Sequence, residues 1–137
     1  MSDITVTWVE KEQFVGVDSR KHGIVLSSQN EENGTGSKPS DLLLIALGGC
    51  AAVDLIGILQ KQRQKVAHLK ITLRGEQESE PPWTFTGIHM EVVVEGSQLS
   101  AAAVERAIAL SVDKYCSVAA TIRATAPITT SYRLIEV

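Results

Sequence analysis

The spacing of apolar and polar residues changes twice along the chain. Residues 1–28 contain three short runs of β-branched and aromatic residues between polar breaks, a pattern typical of a β-meander. Residues 29–39 are turn-forming and charged, and they predict a mobile connection of the kind that often borders a site. The predicted strands are ITVTWV (4–9), QFVGVDS (13–19) and GIVLSS (23–28).

A long helix is predicted from Ser40, which is the expected N-cap, with Asp41 as the acid that the helix dipole favours. Residues 42–59 are apolar nearly all round, and the polar run 60–65 ends them. Their length borders on that of a bilayer span, but Asp54 and three glycines interrupt the run. A helix that is apolar on every side needs cover on every side. We therefore expect a second subunit and no membrane.

The second half of the chain returns to alternation. Apolar residues at every second position predict a one-sided antiparallel sheet, and the prolines between the two runs fit a turn. The overall order βββ–α–ββ–α–β predicts an α+β fold in a single domain over residues 1–137. The remaining predicted elements are strands at 66–79 and 85–96, a helix over 101–115 begun by Ser100, a short helical continuation or restart at 117–125 and a strand at 128–137.

Composition narrows the function classes. The 137 residues carry a net charge of −3 and are 44% hydrophobic, which is enough for a core without disulfides. The chain has no basic block, so no nucleic acid is expected. The first ten residues have neither a cationic start nor an apolar run, which predicts a cytoplasmic protein without a signal peptide. Its three histidines are scattered, so no metal site is expected.

Each of the two predicted long helices carries one cysteine, Cys50 and Cys116. Two cysteines this far apart do not form a zinc motif. Taken alone, such a cysteine is more often a small buried hydrophobe than a reactive thiol. However, Gly48 and Gly49 directly precede Cys50 and remove side chains from one flank. We expect them to let another helix or a substrate approach the backbone closely.

Two segments resemble the cysteine-bearing helices of the OsmC/Ohr family, the osmotically inducible protein C and organic hydroperoxide resistance proteins. The shared motifs are Pro-Ser-Asp-Leu-Leu and Gly-Gly-Cys in the first segment and Lys-Tyr-Cys-Ser-Val in the second. Strand order and length also match, so the resemblance covers essentially the whole chain. It implies an OsmC-like fold, with antiparallel sheets around two long central helices in an intertwined homodimer. The segments are KPSDLLLIALGGCAAVDLIGILQKQRQ (38–64) and AAAVERAIALSVDKYCSVAATI (101–122).

The resemblance also implies a reaction at the subunit interface. In the better-known branches the first cysteine attacks a peroxide and becomes a sulfenic acid, and the second condenses with it to a disulfide. Cys50 would attack and Cys116 would resolve, an external thiol or dithiol would restore the pair, and no cofactor is expected. The apolar helix favours a small hydrophobic hydroperoxide as substrate. The predicted substrate pocket contains Gly48, Gly49, Leu47, Tyr115, Ser40 and Asp41.

One position departs from the pattern of those branches. They place a glutamate ten residues before the first cysteine, where it orients an arginine that reaches the thiolate. Here that position is Ser40. The matching arginine should come from the second or third strand, and Arg20 is the only arginine in that region. Arg20 is therefore the predicted cation at the thiolate.

The charges near each cysteine give a second, conflicting assignment of roles. Asp54 follows Cys50 by one helical turn, where a carboxylate opposes thiolate formation. Lys114 lies close to Cys116, and a helix restart at Ser117 would lower the pKa of that thiol. Local charge thus favours Cys116 as the thiolate, whereas the family roles favour Cys50. Both assignments stay open from the sequence.

The leading hypothesis is a thiol-dependent peroxidase that reduces organic, lipid-like hydroperoxides in oxidative-stress defence. Two alternatives use the same fold. One is a non-catalytic protein that binds a small hydrophobic ligand in an apolar dimer cleft, and the other is a redox sensor whose disulfide changes a partner interaction. Turnover with excess dithiol distinguishes the enzyme from both. Stoichiometric oxidation without turnover favours the sensor, and equal ligand binding by a cysteine-free variant favours the binding protein.

Overall fold

The computed structural model describes residues 2–137, and within them it confirms the α+β class and the order βββ–α–ββ–α–β. Of the two alternatives for the segment after Cys116, a helical continuation or a restart, the structure has the restart, as a separate short helix. The elements are β1 (Thr5–Glu10), β2 (Gln13–Val17), β3 (Gly23–Ser27), α1 (Pro39–Lys61), β4 (Lys65–Gln77), β5 (Phe85–Ser97), α2 (Ala101–Ala109), a π-helical turn (Leu110–Tyr115), α3 (Ser117–Ile122) and β6 (Ile128–Glu136).

The chain divides into two compact units, one ending at Leu43 and the other spanning Leu44–Val137. The single domain predicted over residues 1–137 stays a prediction. In the first unit β1, β2 and β3 pair in that order and antiparallel, which confirms the predicted meander. The sequence predicts a mobile connection after β3. In the structure it is held by a hydrogen bond, because the buried Asn33 carboxamide oxygen accepts the backbone N–H of Glu12 at 3.0 Å.

The sheet of the second unit has the strand order β4–β5–β6. β4 and β5 are antiparallel, as predicted, and Pro81–Pro82 lies in the connection between them. β5 and β6 are parallel, which corrects the prediction of purely antiparallel sheets. The reason is the connection: α2, the π-helical turn and α3 form a long crossover, which is what a parallel pair requires.

The core of the second unit is built from one stripe of each helix and one face of β5. Four α1 residues at a spacing of four are buried, although the helix is apolar on every side. The alternating face predicted for β5 is confirmed by Ile88, Met90, Val92 and Val94. The helical core residues include Leu47, Ala51, Leu55 and Leu59 from α1 and Val104, Ala107 and Ile108 from α2.

Helix boundaries follow the sequence with two corrections. Ser100 caps α2 as predicted, and its side-chain oxygen accepts the N–H of Ala103 at 3.2 Å. Ser40 was expected to cap α1, but the helix already begins at Pro39, whose fixed φ suits a first helical position. The helix predicted over 101–115 ends as α2 at Ala109 and continues as the wider π-helical turn.

Candidate active site

The two cysteines lie at adjoining points of the second unit and are both free thiols. Cys50 is half-buried on α1, and Cys116 is buried at the N-cap of α3 with 2% of its surface exposed. The two side chains interact: the Cys116 thiol is the largest cause of a lowered pKa of Cys50, and Cys50 in turn raises the pKa of Cys116. The structure therefore brings together the two side chains that the sequence predicts to pair. Two thiols in contact can be oxidised to a disulfide.

Hydrogen bonds lower the pKa of Cys50 below its ordinary value. The bond from the Cys116 thiol is the largest cause, and the backbone N–H groups of Val118 and Ser117 and the Ser117 hydroxyl add to it. Burial acts in the opposite direction and is outweighed. These donors stabilise the charged form, so Cys50 is the thiol that ionises more readily.

Cys116 has the opposite shift. Burial is the largest cause that raises its pKa, and its hydrogen bond with Cys50 raises it further. The N–H of Ala119 donates to the Cys116 sulfur at 3.3 Å, which lowers the pKa but does not offset the other two. Cys116 therefore stays a thiol under conditions in which Cys50 begins to ionise.

The groups that favoured Cys116 from the sequence do not make it the more acidic of the two thiols. The ammonium of Lys114 lies 5.3 Å from the centre of the Tyr115 ring, a cation–π contact. The helix restart exists and acts on both thiols: the N–H groups of Ser117 and Val118 lower the pKa of Cys50, and those of Ala119 and Val118 lower the pKa of Cys116, where burial outweighs them. The pKa shifts in the folded chain and the roles that the family resemblance implies therefore agree: both make Cys50 the thiolate.

Gly48 and Leu47 face the core of the second unit. A Cβ on Gly48 would lie 2.6 Å from the Leu73 side chain of β4, so the group that approaches its backbone is the sheet, and not a second helix or a substrate. Leu47 is fully buried and is a core residue rather than a pocket residue. Gly49 is exposed, and a Cβ there would meet nothing within 4 Å. Only Gly49 keeps an open backbone face beside Cys50.

Three predicted site residues, Ser40, Asp41 and Arg20, lie apart from the two cysteines along the chain. Ser40 and Asp41 lie in the first turn of α1. Arg20 lies on the exposed turn between β2 and β3, where its backbone N–H donates to Asp18 at 2.8 Å. It belongs to the unit that ends at Leu43, and its role as the thiolate's cation stays a prediction.

Tyr115 is 55% exposed and lines an open cavity of about 440 Å³ beside α1. Asp54 and Lys61 of α1 line the same cavity together with apolar residues. Tyr115 directly precedes Cys116 in the chain, so this cavity adjoins the segment that carries the buried thiol. It has the mixture of apolar walls and a few polar groups that is usual in small-molecule sites.

One group that the sequence did not single out is Ser111. Its hydroxyl is 1% exposed and donates to the Ala51 carbonyl of α1 at 2.9 Å. The signal in the sequence was a lone serine on the apolar stripe of the second helix, between Leu110 and Val112. The backbone donors of Ser117 and Val118 left no signal, since every non-proline residue carries an N–H.

Comparison with known proteins decides the family. A family model described as OsmC-like protein matches residues 31–131. The chain belongs to the OsmC-like family. Protein YhfA of Escherichia coli is 38% identical over 130 residues, which cover 95% of this chain and 96% of that protein.

Solved structures of this family share the OsmC-like fold. An OsmC-like protein from Mycoplasma pneumoniae has a TM-score of 0.85 at 16% identity, covering 98% of this chain and 97% of its own. The organic hydroperoxide resistance protein OhrB of Bacillus subtilis has a TM-score of 0.64 at 12% identity, covering 97% and 98%. Such identities establish the fold alone, and membership of the family rests on the matched family model and on the similarity to YhfA.

The length and composition of α1 alone would allow it to cross a membrane. However, α1 lies inside the residues that the OsmC-like model matches, and one of its faces is packed in the core of the second unit. Its apolar length is therefore that of the central helix of a small soluble fold. Only 28% of its most apolar 18-residue window is buried within the chain.

Proposed function

We propose that this OsmC-like protein is a thiol-dependent peroxidase that reduces organic, lipid-like hydroperoxides through Cys50 and Cys116. The observation that carries the proposal is the interaction between the Cys116 thiol and Cys50. It lowers the pKa of Cys50 and places a second thiol in contact with it. A thiolate nucleophile beside a resolving thiol is what a two-cysteine peroxidase requires.

The reaction would follow in three balanced steps. The Cys50 thiolate attacks the terminal oxygen of the hydroperoxide, the O–O bond breaks, and the alkoxide leaves and is protonated to an alcohol. The Cys116 sulfur then attacks the sulfur of the Cys50 sulfenic acid, and the oxygen leaves as water with the Cys116 proton. An external dithiol supplies two electrons and two protons to restore both thiols.

The thiolate has support that does not depend on the glutamate replaced by Ser40. Its donors, the Cys116 thiol and the first N–H groups of α3, all belong to residues of the second unit. Neutral donors of this kind stabilise a thiolate without a permanent cation. Arg20 remains the proposed cation, and it would add to this support rather than replace it.

The surface around Cys50 favours a lipid-like substrate. Ala46, Gly49 and Val53 lie four residues before, one before and three after Cys50, and all three are exposed. Val53 alone has 72% of its surface exposed. Residues three and four apart share a helix face, so an apolar strip borders the reactive sulfur. We propose a cytoplasmic homodimer in which a second copy completes this strip as a cleft for the substrate.

Stopped-flow oxidation tests the substrate class. The reduced protein is mixed with cumene hydroperoxide, a fatty-acid hydroperoxide or hydrogen peroxide, with excess dithiol present. We expect turnover with all three and the highest second-order rate constant with an organic hydroperoxide. Stoichiometric oxidation that never turns over would support the redox sensor. Equal binding of a fatty acid by the Cys50→Ser/Cys116→Ser protein, without turnover in the wild type, would support the ligand-binding protein.

Trapping with dimedone tests the roles of the two cysteines. Cys50→Ser should lose turnover completely, because it lacks the attacking sulfur. Cys116→Ser should react once and stall as the sulfenic acid, which dimedone labels. Mass spectrometry should then find the adduct on Cys50 alone. An adduct on Cys116 in the Cys50→Ser protein would reverse the assignment.

A further inference from the structure

We propose that Ser111 is the positioning residue of the resolving thiol, because it ties the π-helical turn that ends directly before Cys116 to the turn of α1 that carries Cys50. The inference deepens the proposed redox function and rests on it for its biological meaning. Ser111 touches neither the substrate nor a reacting atom. Its effect would come through the placement of the Cys116 sulfur.

A single residue makes both connections. The Ser111 hydroxyl donates to the carbonyl of Ala51, the residue that follows Cys50, at 2.9 Å. The Ser111 carbonyl accepts the N–H of Cys116 at 2.8 Å. Since Ser111 is 1% exposed, water does not compete for either bond.

The π-helical turn makes this placement unusual. The bond from Cys116 to Ser111 joins residues five apart, whereas a regular α-helix would direct the Cys116 N–H to Val112. The Val112 carbonyl is instead bound by the guanidinium of Arg123, which also contacts Asp113 at 3.4 Å. The widened turn thus has its own set of partners, which is expected of a built feature and not of a frayed helix end.

The chemistry explains why a positioning group would matter here. Disulfide formation converts Cys50–SOH and Cys116–SH into an S–S bond and water. The Cys116 sulfur must approach the Cys50 sulfur in line with the S–O bond that breaks. A displacement of about 1 Å in such a contact can reduce the rate by about 100-fold. Ser111 supplies no atom or electron to this reaction. It affects only the position from which the Cys116 sulfur approaches.

Equilibration with glutathione tests the proposal without any peroxide. Glutathione disulfide oxidises the Cys50–Cys116 pair and yields two glutathione thiols, so the equilibrium constant reports how well the two sulfurs are held together. We expect Ser111→Ala to lower this constant about tenfold. Ser27→Ala is the matched control, because Ser27 is also buried, at 2% exposure, but belongs to the first unit. It should leave the constant unchanged.

Two further variants separate position from stability. Ser111→Thr and Ser111→Val introduce side chains of the same shape, and neither leaves a new cavity. Only the threonine keeps the hydroxyl, so the pair isolates its effect. We expect Ser111→Thr to stay within about threefold of the wild type and Ser111→Val to fall with Ser111→Ala. If Ser111→Ala does not fold, this pair decides.

The outcomes also separate this inference from the proposed peroxidase. An equilibrium constant with glutathione that is unchanged from the wild type in Ser111→Val or Ser111→Ala would overturn the role of Ser111, whatever the peroxidase assays give. A wild type that equilibrates with glutathione but does not reduce hydroperoxides would refute the peroxidase and leave the positioning result standing. If both hold, Ser111→Ala should also lengthen the lifetime of the Cys50 sulfenic acid, measured by dimedone capture.

Discussion

At the scale of single residues, Cys50 and Cys116 differ only in their surroundings. Cys50 is half-buried and receives hydrogen bonds from a thiol and from the first turn of α3. Cys116 is buried in the core, and burial and its interaction with Cys50 both raise its pKa. One thiol therefore ionises more readily, and the other stays protonated more readily.

This asymmetry predicts how the ionisation of Cys50 responds to mutation. Cys116→Ala removes the largest cause of the lowered pKa and should raise the pKa of Cys50. Because only the thiolate reacts, alkylation of Cys50 by iodoacetamide should then reach its half-maximal rate at higher pH than in the wild type. Quantifying the labelled Cys50 peptide by mass spectrometry over a pH series measures the shift for this sulfur alone.

Ser117→Ala provides the graded control. The Ser117 hydroxyl is a smaller cause of the lowered pKa, and its backbone N–H remains in the variant. We expect an upward shift in the pKa of Cys50 that is smaller than in Cys116→Ala. An unchanged profile in Cys116→Ala would show that the thiol–thiol hydrogen bond does not control Cys50.

At the scale of elements, regular patterns were predictable and exceptions were not. Period-2 alternation identified the buried face of β5, and the serine before α2 marked its cap. The parallel β6 and the π-helical turn depend on how distant segments meet, which a local pattern does not contain. The same limit applied to the site: the sequence paired Cys50 with Cys116, but assigning the donors of Ser117 and Val118 to Cys50 required the folded structure.

Gly96 tests the close pairing of the two long strands. A Cβ at Gly96 would lie 2.0 Å from the backbone oxygen of Lys65, an atom that cannot rotate away. Gly96→Ala must therefore separate the start of β4 from the end of β5. We expect a loss of about 2–3 kcal/mol in the free energy of unfolding, measured by urea denaturation.

Gly87→Ala is the control on the same strand. A Cβ at Gly87 would meet nothing within 4 Å, so the change should stay within about 0.5 kcal/mol. A similar loss in both variants would mean that β5 is sensitive to any side chain at a glycine. In that case the close approach of Lys65 would not be the cause.

At the scale of the whole molecule, the chain leaves much apolar surface uncovered. Although α1 is apolar all round, it buries only one stripe within the second unit. The first unit has a small sheet with β1 exposed along its whole length. Apolar exposure of this extent marks an interaction surface in a soluble protein, and a second copy of the chain is the occupant we propose. The exposed large apolar residues include Ile4, Val6, Trp8, Val9, Ile24, Val25, Leu43, Ile45 and Val53.

A charge on the exposed face of α1 tests that homodimer. Val53 is 72% exposed in the single chain, so Val53→Glu should be harmless to a monomer. In a dimer packed on this face, each subunit would bury an unpaired carboxylate, which costs about 3–5 kcal/mol. We expect the dissociation constant to rise at least 100-fold, since about 1.4 kcal/mol corresponds to a factor of ten.

Sedimentation velocity over a range of concentrations measures this change, and Gln60→Glu supplies the control. Gln60 lies on the same helix, is exposed and is already polar, so the carboxylate that Gln60→Glu introduces should leave the dimer intact. Because the apolar strip that includes Val53 also borders Cys50, dissociation should reduce the rate with a fatty-acid hydroperoxide more than the rate with hydrogen peroxide. A folded wild-type monomer at micromolar concentration would contradict the dimer, and the cleft proposed beside Cys50 would then have no second wall.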